Sequence, residues 1–168
     1  MGPERACENR LVREPGEGQR AEPVAAMRAR VAASFARQAM MATLGAELVS
    51  VERGRVELAL PHDERFTQQH GFVHAGAVAA VLDSACGYAA FSVMPPEAAV
   101  LTASYTINLL APAARERFRM TGTVVRAGRT LVVCRGDAFA GDAATPFGGH
   151  AGNPDRPLRP PRRPALTR

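Results

Sequence analysis

At 168 residues, 46% of them hydrophobic, the chain is long enough for one domain with a real core and additional tails. Its 21 basic residues are all Arg and exceed its 16 acidic residues by 5. No clean apolar run reaches the roughly 18 residues of a membrane span, and the N-terminal MGPERACENR lacks the apolar stretch of a signal peptide. A cytoplasmic protein without a membrane partner is the expectation.

The charge is uneven. Residues 1–26 hold four Arg and five acids, residues 27–141 twelve Arg and nine acids, and residues 142–168 five Arg and two Asp. Much of the basic excess therefore lies in the last segment, where no aromatic residue follows Phe147 to stack on bases, so a nucleic-acid partner is not expected. Cys7, Cys86 and Cys134 are an odd number without metal-ligand spacing, and the four His are scattered; neither a disulfide framework nor a metal site is predicted.

Residues 1–26, rich in Glu, Arg, Gly and Pro without periodicity, read as a disordered extension. Ala26–Met41 predicts an amphipathic helix around Val31, Phe35 and Ala39, with Phe35, Met40 and Met41 as core. Leu44–Val51 and Arg55–Leu60 predict two strands joined at Glu52-Arg53-Gly54, followed by a loop over Pro61–Val73. Ala75–Val93 predicts one long helix, stopped by Pro95-Pro96. Val100–Leu110, Phe118–Arg126 and Thr130–Phe139 predict strands, with turns at Pro112 and Gly128. In Val100–Leu110 the alternation places Leu101, Ala103, Tyr105, Ile107 and Leu109 on a core face and Thr102, Ser104, Thr106 and Asn108 on a polar one. Residues 142–168 hold six Pro and predict a Pro/Arg-rich disordered tail with no regular element. The order is that of an α+β domain over residues 27–141, an antiparallel curled sheet with one long helix across it.

That helix carries the chemical signal. At 100° per residue, one half holds Val78, Val81, Leu82, Ala85 and Tyr88, an ordinary core stripe. The other holds Gly76, Ala79, Ala80, Gly87 and Ala90, with Asp83 at its centre and no salt-bridge partner at i±3 or i±4. Each Gly costs about 1 kcal/mol in a helix relative to Ala, so a face that carries two is one that something approaches closely. A solvent-facing aspartate and a helix-capping His74 are the bland alternatives. At the helix start, unsatisfied amides flanked by Ala75, Gly76 and Ala77 suit a developing oxyanion. Ala75 and Asp83 are eight residues apart on one helix, about 12 Å along its axis, so they cannot serve one small reacting group within one chain. If both act, two helices are required, which suggests a two-fold dimer with shared sites.

At Gln68, His74-Ala75-Gly76 and Asp83, and in VLDSACGYAAFS, YTINLLAPA and VVRAGRTLVVCRGDAFA, the chain resembles the hotdog-fold acyl-CoA thioesterases of the phenylacetate-pathway (PaaI-type) and 4-hydroxybenzoyl-CoA group. The resemblance spans roughly residues 30–141. It implies hydrolysis of an acyl-CoA, with Asp83 as general base or nucleophile and the Ala75 amide polarising the thioester carbonyl. It further implies Gln68 orienting thioester or water, with His74 in the same motif, and Thr102 near the attacking water. Gly76 and Gly87 would line the substrate slot, and by their charge alone Arg126 and Arg129 are candidate phosphate contacts. No cofactor or metal is implied, and homodimers or homotetramers are. The chain departs from the pattern twice: Ala75 replaces a Gly, and the Pro/Arg-rich tail stands where the family has a last strand. Two alternatives remain: a non-catalytic acyl-CoA-binding module or C-terminally disabled thioesterase, and a hotdog hydratase or dehydratase. The His-Phe-Pro-Gly-type and Asp-x-x-x-x-His patterns of those hydratases are both lacking.

Overall fold

The computed structural model describes residues 22–150. In chain order these form α1 (Val24–Phe35), α2 (Ala39–Leu44), β1 (Glu47–Glu52), β2 (Arg55–Pro61), a 3-10 turn (Glu64–Phe66), α3 (Ala75–Phe91), β3 (Ile107–Leu109), β4 (Arg117–Ala127), β5 (Val132–Ala140) and β6 (Gly148–His150). The six strands make one sheet in the order β1-β2-β4-β5-β6-β3, antiparallel throughout. Helix α3 lies across its concave face, chiefly on β4 and flanked by β2 and β5. This is the hotdog arrangement, an α+β curled sheet around one long helix.

The core follows from two periods meeting. Val78, Val81, Leu82, Ala85 and Ala89 recur at helical spacing on α3 and are almost wholly buried. Val56, Leu58 and Leu60 on β2 and Phe118 and Met120 on β4 alternate along their strands and meet that stripe. Burying side chains of this size contributes about 1.5–3 kcal/mol each. Next in that alternation comes Gly122, and it sets how close helix and sheet stand. A Cβ there would lie 2.5 Å from the Cys86 backbone nitrogen and overlap the Ala85 carbonyl, so only glycine fits. Gly54, at φ 82°, supplies the left-handed turn of the predicted β1–β2 hairpin.

Four expectations need correction. The predicted Ala26–Met41 helix is two helices that break at Ala36–Gln38. Gln38 is extended there (φ −79°, ψ 99°), and the break lets Met27 and Val31 and then Met41 and Leu44 each reach the core. Met40, read as core, is 58% exposed. Order among the described residues also begins before residue 27, since α1 starts at Val24 behind Pro23. The remaining residues of the predicted extension, 1–21, lie outside the description.

Third, of the strand predicted at Val100–Leu110 the described strand is Ile107–Leu109. Residues 100–106 lie over the small face of α3 without an assigned strand, and Leu101 and Tyr105, predicted core, are 93% and 54% exposed. Strand structure needs a neighbouring backbone, which β6 supplies to Ile107–Leu109. Fourth, a regular element does follow residue 142: Gly148–His150 pairs with both β5 and β3. Phe147 anchors it, packing edge-to-face on Phe118 at 5.5 Å while its amide donates to the Ala138 carbonyl. Residues 151–168 of the predicted tail lie outside the description.

Candidate functional site

The small-residue face of α3 forms the floor of two clefts that meet at Asp83. The first, of about 330 Å3, lies between residues 100–106 and the start of β5, with Cys86, Gly87 and Ala90 beneath. The second, of about 410 Å3, opens toward the α1–α2 joint, where Ser34, Arg37 and Gln38 face Tyr88 and Phe91. Asp83, Gly87, Val100, Leu101 and Thr102 border both. A group seated at Asp83 therefore has room on either side.

Asp83 is half-buried, and Thr102 Oγ1 donates to its Oδ1 at 2.9 Å. The bond ties the segment at Thr102 to the helix and holds one carboxylate oxygen of Asp83. Its neighbour Ser84 donates through Oγ to Gln38 Oε1 at 3.2 Å, which fixes the α1–α2 joint beside the carboxylate. Gly87, one turn on, keeps the floor low: a Cβ there would touch only Val100 Cγ1, at 3.8 Å. Cys86 also lines the first cleft, but burial pushes its thiol up to about 12, with Cys134, Asp83 and Asp137 adding to the effect. Burial raises the Cys134 thiol as well, against a hydrogen bond at the Ala90 backbone. Both are poor nucleophiles.

The other end of α3 carries the rest of the predicted site. His74 is the N-cap, its Nδ1 accepting from the Gly76 amide at 2.8 Å, so the capping alternative describes what its ring does. An imidazole accepting at Nδ1 carries its proton on Nε2. The Ala75 amide makes no hydrogen bond among the described residues, and Ala75 and Gly76 are exposed, leaving an open donor at the positive end of a 17-residue helix. Gln68 sits in the preceding turn, where its backbone amide donates to Phe72 O at 2.8 Å and its Oε1 accepts from the His70 amide. Arg126, near the end of β4, and Arg129, in the turn to β5, are exposed and form no ion pair among the described residues; they stand close in sequence to the Thr130–Cys134 wall of the first cleft.

One chain thus brings together Asp83, Thr102 and Gly87, and separately Gln68, His74, Ala75 and Gly76. Ser34, Arg37 and Gln38 were not singled out in the sequence. Their signal is absent locally, because a helix break without Pro or Gly places them. No helix among the described residues is long and apolar enough to cross a membrane.

The sequence profile of the thioesterase superfamily matches residues 70–146. A crystal structure of a thioesterase family protein from Silicibacter pomeroyi is 51% identical, with a TM-score of 0.71 over 74% of this chain and 93% of that one. The PaaI protein of the phenylacetic acid degradation operon of E. coli superposes with a TM-score of 0.66 at 18% identity, over 74% of this chain and 91% of that one, a likeness of fold. A protein of Saccharolobus solfataricus is 32% identical over 90 residues, which are 54% of this chain and 64% of that relative's length.

Proposed function

Because the chain belongs to the thioesterase superfamily, we propose that it hydrolyses an acyl-CoA thioester to the free acid and CoA, the acyl part being small and aromatic or of short to medium length. The observation that carries this reading is Asp83 itself: a carboxylate on an otherwise small and apolar helix face, held by Thr102 at 2.9 Å, where two clefts meet. As general base, Asp83 takes a proton from water while the water oxygen attacks the thioester carbon. The carbonyl becomes an oxyanion, CoA leaves as thiolate, and the proton passes to the thiolate or to solvent. As nucleophile, Asp83 forms an acyl anhydride as CoA leaves, and water then releases the acid. Both routes need the same carboxylate in the same place.

The oxyanion needs a donor that does not have to be reorganised, and the Ala75 amide is one. It stands about 12 Å from Asp83 along the helix, so the donor comes from a second copy of the chain. The exposed Leu101 supports that arrangement, because an antiparallel second copy supplies its apolar cover. Two shared sites per dimer result, with Gln68, His74 and Gly76 of one copy beside Asp83 and Gly87 of the other. The CoA arm follows the first cleft, toward the cationic turn of Arg126 and Arg129.

The test is free-thiol release from a panel of short, long and aromatic acyl-CoAs, comparing the parent with Asp83→Ala. Turnover of at least one thioester, reduced about 100-fold or more by Asp83→Ala, is expected. Equal inactivity of two folded proteins, with acyl-CoA still bound, would instead make the chain a binding module.

A further inference from the structure

The geometry points to the second cleft as the acyl subsite, with Arg37 as a specificity residue that selects acyl groups ending in an anion: the substrate class is a carboxylated aromatic acyl-CoA. This rests on the reading of Asp83 as the hydrolytic centre and names what that centre is built to receive. The thioester carbon must lie at Asp83, on the wall common to both clefts. With the CoA arm in the first cleft, the acyl group enters the second.

The shape of that cleft suits a ring. Phe35, Tyr88 and Phe91 form an edge-to-face series, with centroids 5.8 and 6.4 Å apart and planes at 65°. Tyr88 and Phe91 line one side; Ala98, Ala99 and Val100 line the other. Between them Gly87 leaves the floor without a side chain. An aromatic acyl group inserted here adds one more edge-to-face partner to the series.

The charge is equally one-sided. Arg37 lines this cleft and its guanidinium makes no hydrogen bond or ion pair among the described residues. Other arginines are committed: Arg30 to Glu22, Arg65 to Asp63, Arg117 to Glu47 and Arg135 to Asp137. Apart from Asp83, at the reacting end, no acidic residue lines the cleft. Gln38 and Ser84 satisfy each other across it at 3.2 Å, which fixes the joint that carries Arg37. An uncommitted guanidinium at the rim of an aromatic slot is suited to bidentate pairing with a carboxylate on the far side of the ring.

Benzoyl-CoA and 4-carboxybenzoyl-CoA differ only in that carboxylate. We expect the parent to favour the carboxylated thioester about tenfold in kcat/KM, the ratio to collapse toward one in Arg37→Ala, and part of it to return in Arg37→Lys. A ratio unchanged by Arg37→Ala overturns the proposal. So does an equal loss on both thioesters, which would make Arg37 a contact for CoA. Titration calorimetry of both compounds with Asp83→Asn, alone and combined with Arg37→Ala, separates this inference from the reading beneath it. A carboxylate preference in Kd that depends on Arg37, with no turnover by the parent, refutes hydrolysis and keeps the subsite. No preference in either measurement refutes the subsite whatever the turnover.

Discussion

Gly122→Ala tests the closeness of helix and sheet on which the site depends. The added methyl would lie 2.5 Å from the Cys86 nitrogen and overlap the Ala85 carbonyl. Carbon contacts settle at about 3.5–4.0 Å, so α3 must retreat by about 1 Å. Neither neighbour is a side chain that can swing aside; both are backbone in the middle of a helix. The retreat loosens Val81, Leu82 and Ala85, each completely buried against the sheet. Overpacking of this kind costs about 2–3 kcal/mol. For a domain of this size that lowers the melting temperature by about 10 °C. The assay is equilibrium urea unfolding of parent, Gly122→Ala and Gly87→Ala. The last variant adds the same methyl on the opposite face of α3, where it meets only Val100 Cγ1 at an ordinary 3.8 Å. There the better helix propensity of Ala should hold or raise stability, by up to about 1 kcal/mol. A Gly122→Ala protein within about 0.5 kcal/mol of the parent would refute the reasoning, since surface changes are of that size.

Two further outcomes are expected. Thr102→Val removes the hydroxyl that orients Asp83 while keeping the side-chain volume; free-thiol release should fall about five- to tenfold, with little change in unfolding free energy because Thr102 is exposed. For Cys86, a thiol pushed up to about 12 is a thiolate at pH 8 only about once in 10,000 molecules, against roughly one in four for a free cysteine. Iodoacetamide should therefore leave Cys86 unlabelled in the native protein at pH 8 and label it once urea unfolds the chain, as read by peptide mass mapping. Labelling should rise as pH is raised toward 12, since the raised value delays ionisation. Rapid native labelling at pH 8 would contradict the burial assigned to it.

Much of the frame was legible because each element carries its own period. The α3 stripe, the alternation of Val56, Leu58 and Leu60, and the turn at Gly54 are local properties, and the structure places them as read. What escaped was set by partners distant in sequence. The break at Ala36–Gln38 has no Pro or Gly to announce it; the core contacts of Met41 and Leu44 and the bond from Ser84 impose it. The strand Gly148–His150 has no strand propensity in its Gly-Gly start, and exists because the backbones of β3 and β5 flank it. Residues 100–106 show the converse, a clear alternation that forms no strand among the described residues. Gly122 did carry a signal, a glycine inside a strand-like run, which marks close backbone approach. At the site, Asp83 and Thr102 were each singled out by family resemblance, but the hydrogen bond between them, at 2.9 Å, was not read from the sequence. The wall formed by Ser34, Arg37 and Gln38 was hidden behind the helix break.

The central claim is that each site is shared between two copies, and a mixing experiment addresses it most directly. Asp83→Ala removes the carboxylate from one variant. Ala75→Pro replaces the amide hydrogen with a ring carbon in the other: the position is the first of α3, where Pro is tolerated, and His74 already has an extended φ of −62° and ψ of 137°, compatible with a following Pro. Each variant alone should be nearly inactive in free-thiol release. After dissociation and reassociation at equal amounts, half the dimers are mixed, and each mixed dimer holds one intact site of two, so about a quarter of the parent activity should return. No recovery, with native mass spectrometry confirming that mixed dimers have formed, would contradict the account and place the whole site within one chain.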